Sequence, residues 1–204
     1  MITYEELFVL NRALDGKDMW HVRSFDNVKD KLNVISKAKR SLIEKGLLNN
    51  NSSFTKEGIK LVKCLEKYKN TKKYFNFQNV WAALTDDGNA ITIAESAPNK
   101  YEINYLTSNS IYRAIADKFR FIRKDDNSMP GISKMIKPSE LFKMYYLNPN
   151  EGFMVESVFN GVKTASYLYF ELNNKKYRYN NRSHQLDSVT KEIIMSDLHR
   201  LLTV

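Results

Sequence analysis

Histidine, cysteine and paired carboxylates are the residues with which a chain of this kind could do chemistry. The three histidines, His21, His184 and His199, stand alone, none of them three or four residues from another His or Cys. Metal-ligand spacing is therefore missing. The single cysteine, Cys64, cannot close an internal disulfide and lies among helix-spaced apolar residues, where a thiol behaves as a small hydrophobe. The pairs Asp86-Asp87 and Asp125-Asp126 could in principle share acid–base work. Each sits in a polar cluster rich in turn formers, which accounts for them without catalysis. The chain carries no phosphate-cradling glycine loop, GxSxG or HExxH. The reading is a protein without catalytic, metal or cofactor site, whose work is to bind another macromolecule.

The composition bounds that reading. The 204 residues are 43% hydrophobic and 27% charged, as in an ordinary globular domain. The longest apolar runs fall far short of the roughly 20 residues a membrane-spanning helix needs. The first residues, Met1-Ile2-Thr3-Tyr4-Glu5-Glu6, carry acids where a signal peptide carries a basic leader. A cytoplasmic protein, with no membrane insertion, is expected. The net charge of +9 suits nucleic acid, anionic lipid or an acidic protein, and does not choose among them. Between Lys56 and Lys73 seven lysines face two acids, Glu57 and Glu66, which reads as the solvated face of a helix.

The periodicity supplies the elements. Helices are predicted from Thr3 to Leu14, from Asn27 to Lys45 with Leu32, Ile35, Ala38 and Leu42 on one face, and from Thr55 onward with Ile59, Val62, Leu65 and Tyr68. The period then shortens. Phe75–Leu84 reads as one strand, Thr85–Asn89 as a turn, Ala90–Glu95 as the returning strand and Tyr101–Tyr105 as a third. A helix over Asn109–Phe121 follows, then the longest irregular stretch, Arg123–Met135. After it come a helix opened by Pro138, a hairpin Phe153–Phe159/Val162–Leu172 turned by Asn160-Gly161, a strand Lys175–Asn180 and a final helix Ser188–Leu202. The order of elements therefore repeats, and Ile2–Phe8 echoes Ile136–Phe142. The expectation is one α+β domain, 1-204, with possible halves 1-124 and 136-204 joined by loop 125-135. The two hairpins would share a central antiparallel sheet with pseudo-two-fold halves, flanked by helices.

Two binding signals stand out. The run Glu44-Lys45-Gly46-Leu47-Leu48, a polar turn and Thr55-Lys56-Glu57-Gly58 is common in winged-helix DNA-binding proteins, so a DNA-binding regulator is the alternative reading. The other signal is Met129, Ile132, Met135 and Ile136, apolar residues in the irregular stretch, where adaptable contacts form. Trp81 joins them as a large ring beside small alanines.

Taken in order, the pieces "ITYEELFVL", "SLIEKGLL", "FTKEGIKLVKCL", "VWAALTDDGNAITIA", "NSIYRAIADKF", "KKYRYN" and "SVTKEIIMSDLHRLL" resemble the EspG-like chaperones of type VII secretion. The likeness is greatest to the EssE (EsaE) type of Gram-positive bacteria. The resemblance implies an EspG-like α+β fold and a cytosolic chaperone or adaptor. Such a protein keeps secreted helical-hairpin substrates, WXG100-like or LXG-like, soluble and delivers them to the membrane secretion ATPase. It implies no cofactor and no small-molecule ligand.

Overall fold

Thr3 begins the fold with a capping box. Its side chain accepts a hydrogen bond from the Glu6 amide, and the Glu6 carboxylate accepts one from the Thr3 amide at 2.7 Å. In the computed structural model, which describes residues 1–124, 131–146 and 151–203, the helix so started is α1 (Tyr4–Arg12). Just before it the two-residue strand β1 (Ile2–Thr3) places Ile2 opposite Tyr101. Helix α2 (Lys31–Glu44) begins later than its periodicity suggests. Phe25–Asn27 form a 3-10 turn, and Asp30, in the left-handed region at φ 48°, caps α2. Helix α3 (Lys56–Asn70) is capped by Thr55, as expected.

The chain divides into two compact units: Met1–Thr71 with Ile91–Tyr105, and Lys72–Ala90 with Leu106–Val204. The first unit holds the three helices, β1 and most of β4 (Asn89–Ala97) and β5 (Lys100–Thr107), in the strand order β1-β5-β4. Its core includes Leu7, Leu10, Leu42, Leu65 and Tyr68, all fully buried.

The second unit is built on strands β2 (Lys73–Phe77), β3 (Val80–Leu84), β6 (Ser133–Met135), β7 (Gly152–Phe159), β8 (Val162–Leu172), β9 (Lys175–Asn180) and β10 (Gln185–Ser188). They lie in the order β3-β2-β7-β8-β9-β10-β6. The early hairpin and the late hairpin do meet in one antiparallel sheet, through β2 and β7, with Phe75 opposite Ser157. Phe75–Leu84, however, is two strands. The chain reverses at Gln78-Asn79, with Gln78 at φ 55° and the Asn76 side chain donating to the carbonyls of Gln78 and Val80. Without glycine in the turn, the reversal left no strong sequence signal. The Asn160-Gly161 turn is as expected, both residues at positive φ (49° and 77°). Asn173-Asn174 repeats that geometry between β8 and β9.

Alternation along β8 sorts the second unit into two faces. Ala165 and Tyr169 point to a core shared with Phe75, Phe153, Val155 and helices α4 (Ser108–Lys118) and α6 (Lys191–Leu202). The rings of Phe119 and Phe153, 4.8 Å apart, lie at its centre. Leu168 and Phe170 point the other way, into a smaller core with Tyr179, Leu186 and Leu141 of helix α5 (Pro138–Tyr146). The helix over Asn109–Phe121 ends sooner than its apolar spacing suggests, yet Ile111, Ile115 and Phe119 are all buried as that spacing requires.

Candidate protein-binding surface

Of the residues first suspected of chemistry, Asp125-Asp126 lies outside the described residues, and most of the others have structural partners. His184 pairs its Nδ1 with the Tyr179 hydroxyl at 2.7 Å, and the His21 ring meets Trp20 edge-on. Asp87 accepts from the Asn89 amide and the Thr85 hydroxyl, closing the turn after β3. His199 lines a cleft of about 320 Å³ with Asp86, Ser108 and Tyr112. Cys64 is half-buried. Among the described residues no three His, Cys, Asp or Glu side chains converge on a metal-sized site.

Two exposed apolar groups of the second unit, Ile132 and Met135, lie at its last strand. Part of the stretch read as irregular is the edge strand β6, paired with β10. Ser188 holds its start, donating its amide to the Ile132 carbonyl at 2.7 Å while its hydroxyl accepts from the Gly131 and Ile132 amides. Ile136 donates to the His184 carbonyl at 3.0 Å. In this register Lys134 bonds inward to β10, and the backbone groups of Ser133 and Met135 point away from it.

A polar chain running from the exposed Ser133 to the buried Asp197 anchors that edge to the core. Ser133 donates to Asp187 at 2.8 Å, and Arg178 bridges Asp187 at 2.8 Å and Asp197 at 2.7 Å. Asp197 also accepts from the Tyr169 hydroxyl and from Arg200, each at 2.9 Å. Burial pushes the Asp187 carboxyl up, but hydrogen bonds from Arg178, Ser133 and Gln185 outweigh it and hold it below its ordinary value. Burial and the Asp197 charge both raise the Tyr169 hydroxyl, keeping it a neutral donor.

The suspected binding residues separate. Ile132 is 48% exposed and Met135 69%, both at the sheet edge. Ile136, one residue on, is a correction: it is buried beneath α5 with Leu141 and Leu186 and offers no apolar surface. The period of two turns alternate side chains to opposite faces, so neighbours in a run share no environment. Met129 lies outside the described residues. Trp81 is half-buried on β3, at the opposite end of this unit's strand order from Met135. At about 4.8 Å per strand, the two are roughly 30 Å apart and form no common patch.

Other exposed apolar groups escaped the sequence reading. Phe159 (45%) and Val162 (63%) face each other across the tip of the β7–β8 hairpin, and Phe142 is 54% exposed on α5. The signal was present in the Asn160-Gly161 turn, which forces its two flanking residues out to the tip.

The model of the domain of unknown function DUF5081 matches this sequence over residues 1–204. The chain belongs to that family. A comparison with curated proteins finds no match. Among solved structures, the chain is similar to the Mycobacterium tuberculosis type VII secretion system chaperone EspG5 in complex with the PE25-PPE41 dimer. The TM-score is 0.60 at 9% identity, over 98% of this chain and 94% of that one. The α+β fold with its large antiparallel sheet is therefore that of EspG5, and the likeness is one of fold, not of contact residues.

Proposed function

We propose that this protein is a type VII secretion chaperone that holds helical-hairpin secretion substrates soluble and delivers them to the secretion machinery. The observation that carries this reading is the extent of the shared fold. EspG5 is a secretion chaperone captured with a protein dimer, and its architecture accounts for almost the whole of this chain. The substrates would be WXG100-like or LXG-like, the receiving component the membrane secretion ATPase, and the setting the cytoplasm.

The physics asked of such a chaperone is modest. A hairpin client presents large apolar groups at its tip, and burying each contributes about 1.5–3 kcal/mol. Ile132 and Met135 at the sheet edge, and Phe159 and Val162 at the hairpin tip, are exposed apolar groups able to receive them. The net charge of +9 would speed the encounter with an acidic client. Masking of this kind is stoichiometric and consumes no nucleotide.

The test is direct. Purified chain is mixed with purified WXG100-like and LXG-like substrates and followed by size-exclusion chromatography with light scattering and by calorimetry. A discrete complex with one of them is expected, and none with a helical hairpin of equal charge that is not secreted. Binding to neither substrate class, or equal binding to the control, would overturn the reading.

A further inference from the structure

Helices α1 and α2 of the first unit run antiparallel. Near one end Glu6 accepts from Ser41 and Lys45. Toward the other, Val9, Arg12 and Ala13 face Ile35 and Lys39 across an open groove of about 250 Å³. Leu32, one turn before Ile35, is 81% exposed, the most exposed large apolar residue among those described. Helix α2 buries only Ala38 and Leu42 outright, so an apolar flank remains along it.

The charged residues that line this groove, Arg12 and Lys39, are both cations, and α2 carries others. Arg12 lies over the Phe8 ring, 5.8 Å from its centre, and Lys31, Lys37, Lys39 and Arg40 follow along α2. None of the five forms an ion pair among the described residues, whereas Lys45 and Lys69 in the same unit are held by Glu6 and Asp15. The acids nearby are committed: Asp15 to Lys69, and Asp30 to the Asn33 amide as the cap of α2. Glu5 and Glu44 belong to the far end, where α1 starts and α2 stops.

We propose that the α1–α2 groove docks an acidic amphipathic helix of a protein partner. The apolar floor of Val9 and Ile35, with Leu32 exposed one turn beyond it, takes the helix's apolar face, and Arg12 and Lys39 meet its carboxylates. The 14 residues of α2 span about 21 Å, enough for four turns of a partner helix. A second copy of this chain fits poorly, because its own α2 would bring cation against cation. Nucleic acid uses the cations but leaves the apolar floor uncovered. The site belongs to the first unit and does not depend on the chaperone reading.

The probe is a synthetic helix of about 16 residues with leucines at i, i+3, i+4 and i+7 and glutamates elsewhere. It is titrated into isotopically labelled protein at about 150 mM salt, near physiological screening. Saturable shifts confined to α1 and α2 are expected, together with at least a tenfold loss of affinity in Leu32→Ser and, separately, in Arg12→Glu. The same peptide with lysine for glutamate should not bind. Both substitutions are at exposed positions, and thermal melting checks that each variant folds. Should Leu32→Ser melt early, Arg12→Glu and the lysine peptide decide alone. Absence of binding, or affinity unchanged in the variants, overturns the proposal. So does tighter Leu32-dependent binding to phosphatidylserine vesicles, to duplex DNA or to a second copy in sedimentation.

Discussion

Gly58, in the first turn of α3, lies against the carbonyl of Leu47: a Cβ at position 58 would stand 2.0 Å from the Leu47 oxygen and 3.1 Å from the Phe54 ring. The Leu47 oxygen also accepts the Thr55 amide at 3.1 Å, so it cannot retreat freely. The run that suggested a winged helix thus has a local structural use. Gly46, at φ 70°, ends α2, Thr55 caps α3 and bonds the Gly46 carbonyl, and Gly58 lets the helix close on the turn. Gly58→Ala should destabilise the protein by about 3 kcal/mol through overpacking, read in urea unfolding. A variant as stable as wild type would show the approach to be looser.

Glu6 is 1% exposed and accepts from Lys45 at 2.6 Å and from Ser41 at 2.6 Å. Burial raises its carboxyl, but the bonds from Lys45, Ser41 and the Thr3 amide outweigh that and hold it below its ordinary 4.5. A depressed folded value means stability that is present above the unfolded value and lost as pH falls through the folded one. Glu6→Gln should therefore cost about 2 kcal/mol near neutral pH. The gap to wild type should shrink below the ordinary value of 4.5. Unfolding curves across pH check this, and a gap that widens in acid would contradict it.

Ile136 and Met135 are neighbours with opposite surroundings, 6% and 69% exposed. Ile136→Ser should cost about 3 kcal/mol, as a large buried side chain is lost from the core under α5. Ile132→Ser with Met135→Ser should leave the fold within about 0.5 kcal/mol, as surface changes do. If the chaperone reading holds, the same double variant weakens client binding at least tenfold, about 1.4 kcal/mol.

Asp197 gathers Tyr169, Arg178 and Arg200 around one carboxylate. Asp197→Ala should destabilise by about 2 kcal/mol, since it leaves the buried Tyr169 hydroxyl without its acceptor and Arg178 with Asp187 alone. Burial also raises the hydroxyl of Tyr74 to about 12. Phenols raised in the folded state stabilise it below their ordinary value of 10.0 and lose that contribution as pH rises past it. Phenolate absorbance of the folded protein at about pH 11 should be unchanged by Tyr74→Phe or Tyr169→Phe. A drop in either variant would place that ring in water.

Binding to duplex DNA should be weak, indifferent to sequence and steeply weakened by salt, as expected of loosely held cations releasing counterions. Sequence-specific binding at about 10 nM and 150 mM salt would restore the regulator reading.

Sequence alone determined much of this protein, wherever the deciding interaction was local. Thr3, Thr55, Asn160-Gly161 and the apolar spacing of α4 and α6 each set their element through bonds or packing within a few residues. The antiparallel joining of the two hairpins was also legible, because the elements recur in the same order. Tertiary structure alone decided what depends on partners distant in the chain. β6 exists because β10, some fifty residues on, supplies its hydrogen bonds. The turn at Gln78-Asn79 exists because β2 finds partners on both sides, β3 and β7. The candidate surface follows the same division. Composition identified Ile132, Met135 and Ile136 as apolar, but exposure is set by what packs above each one, and α5 covers Ile136 while nothing described covers Met135.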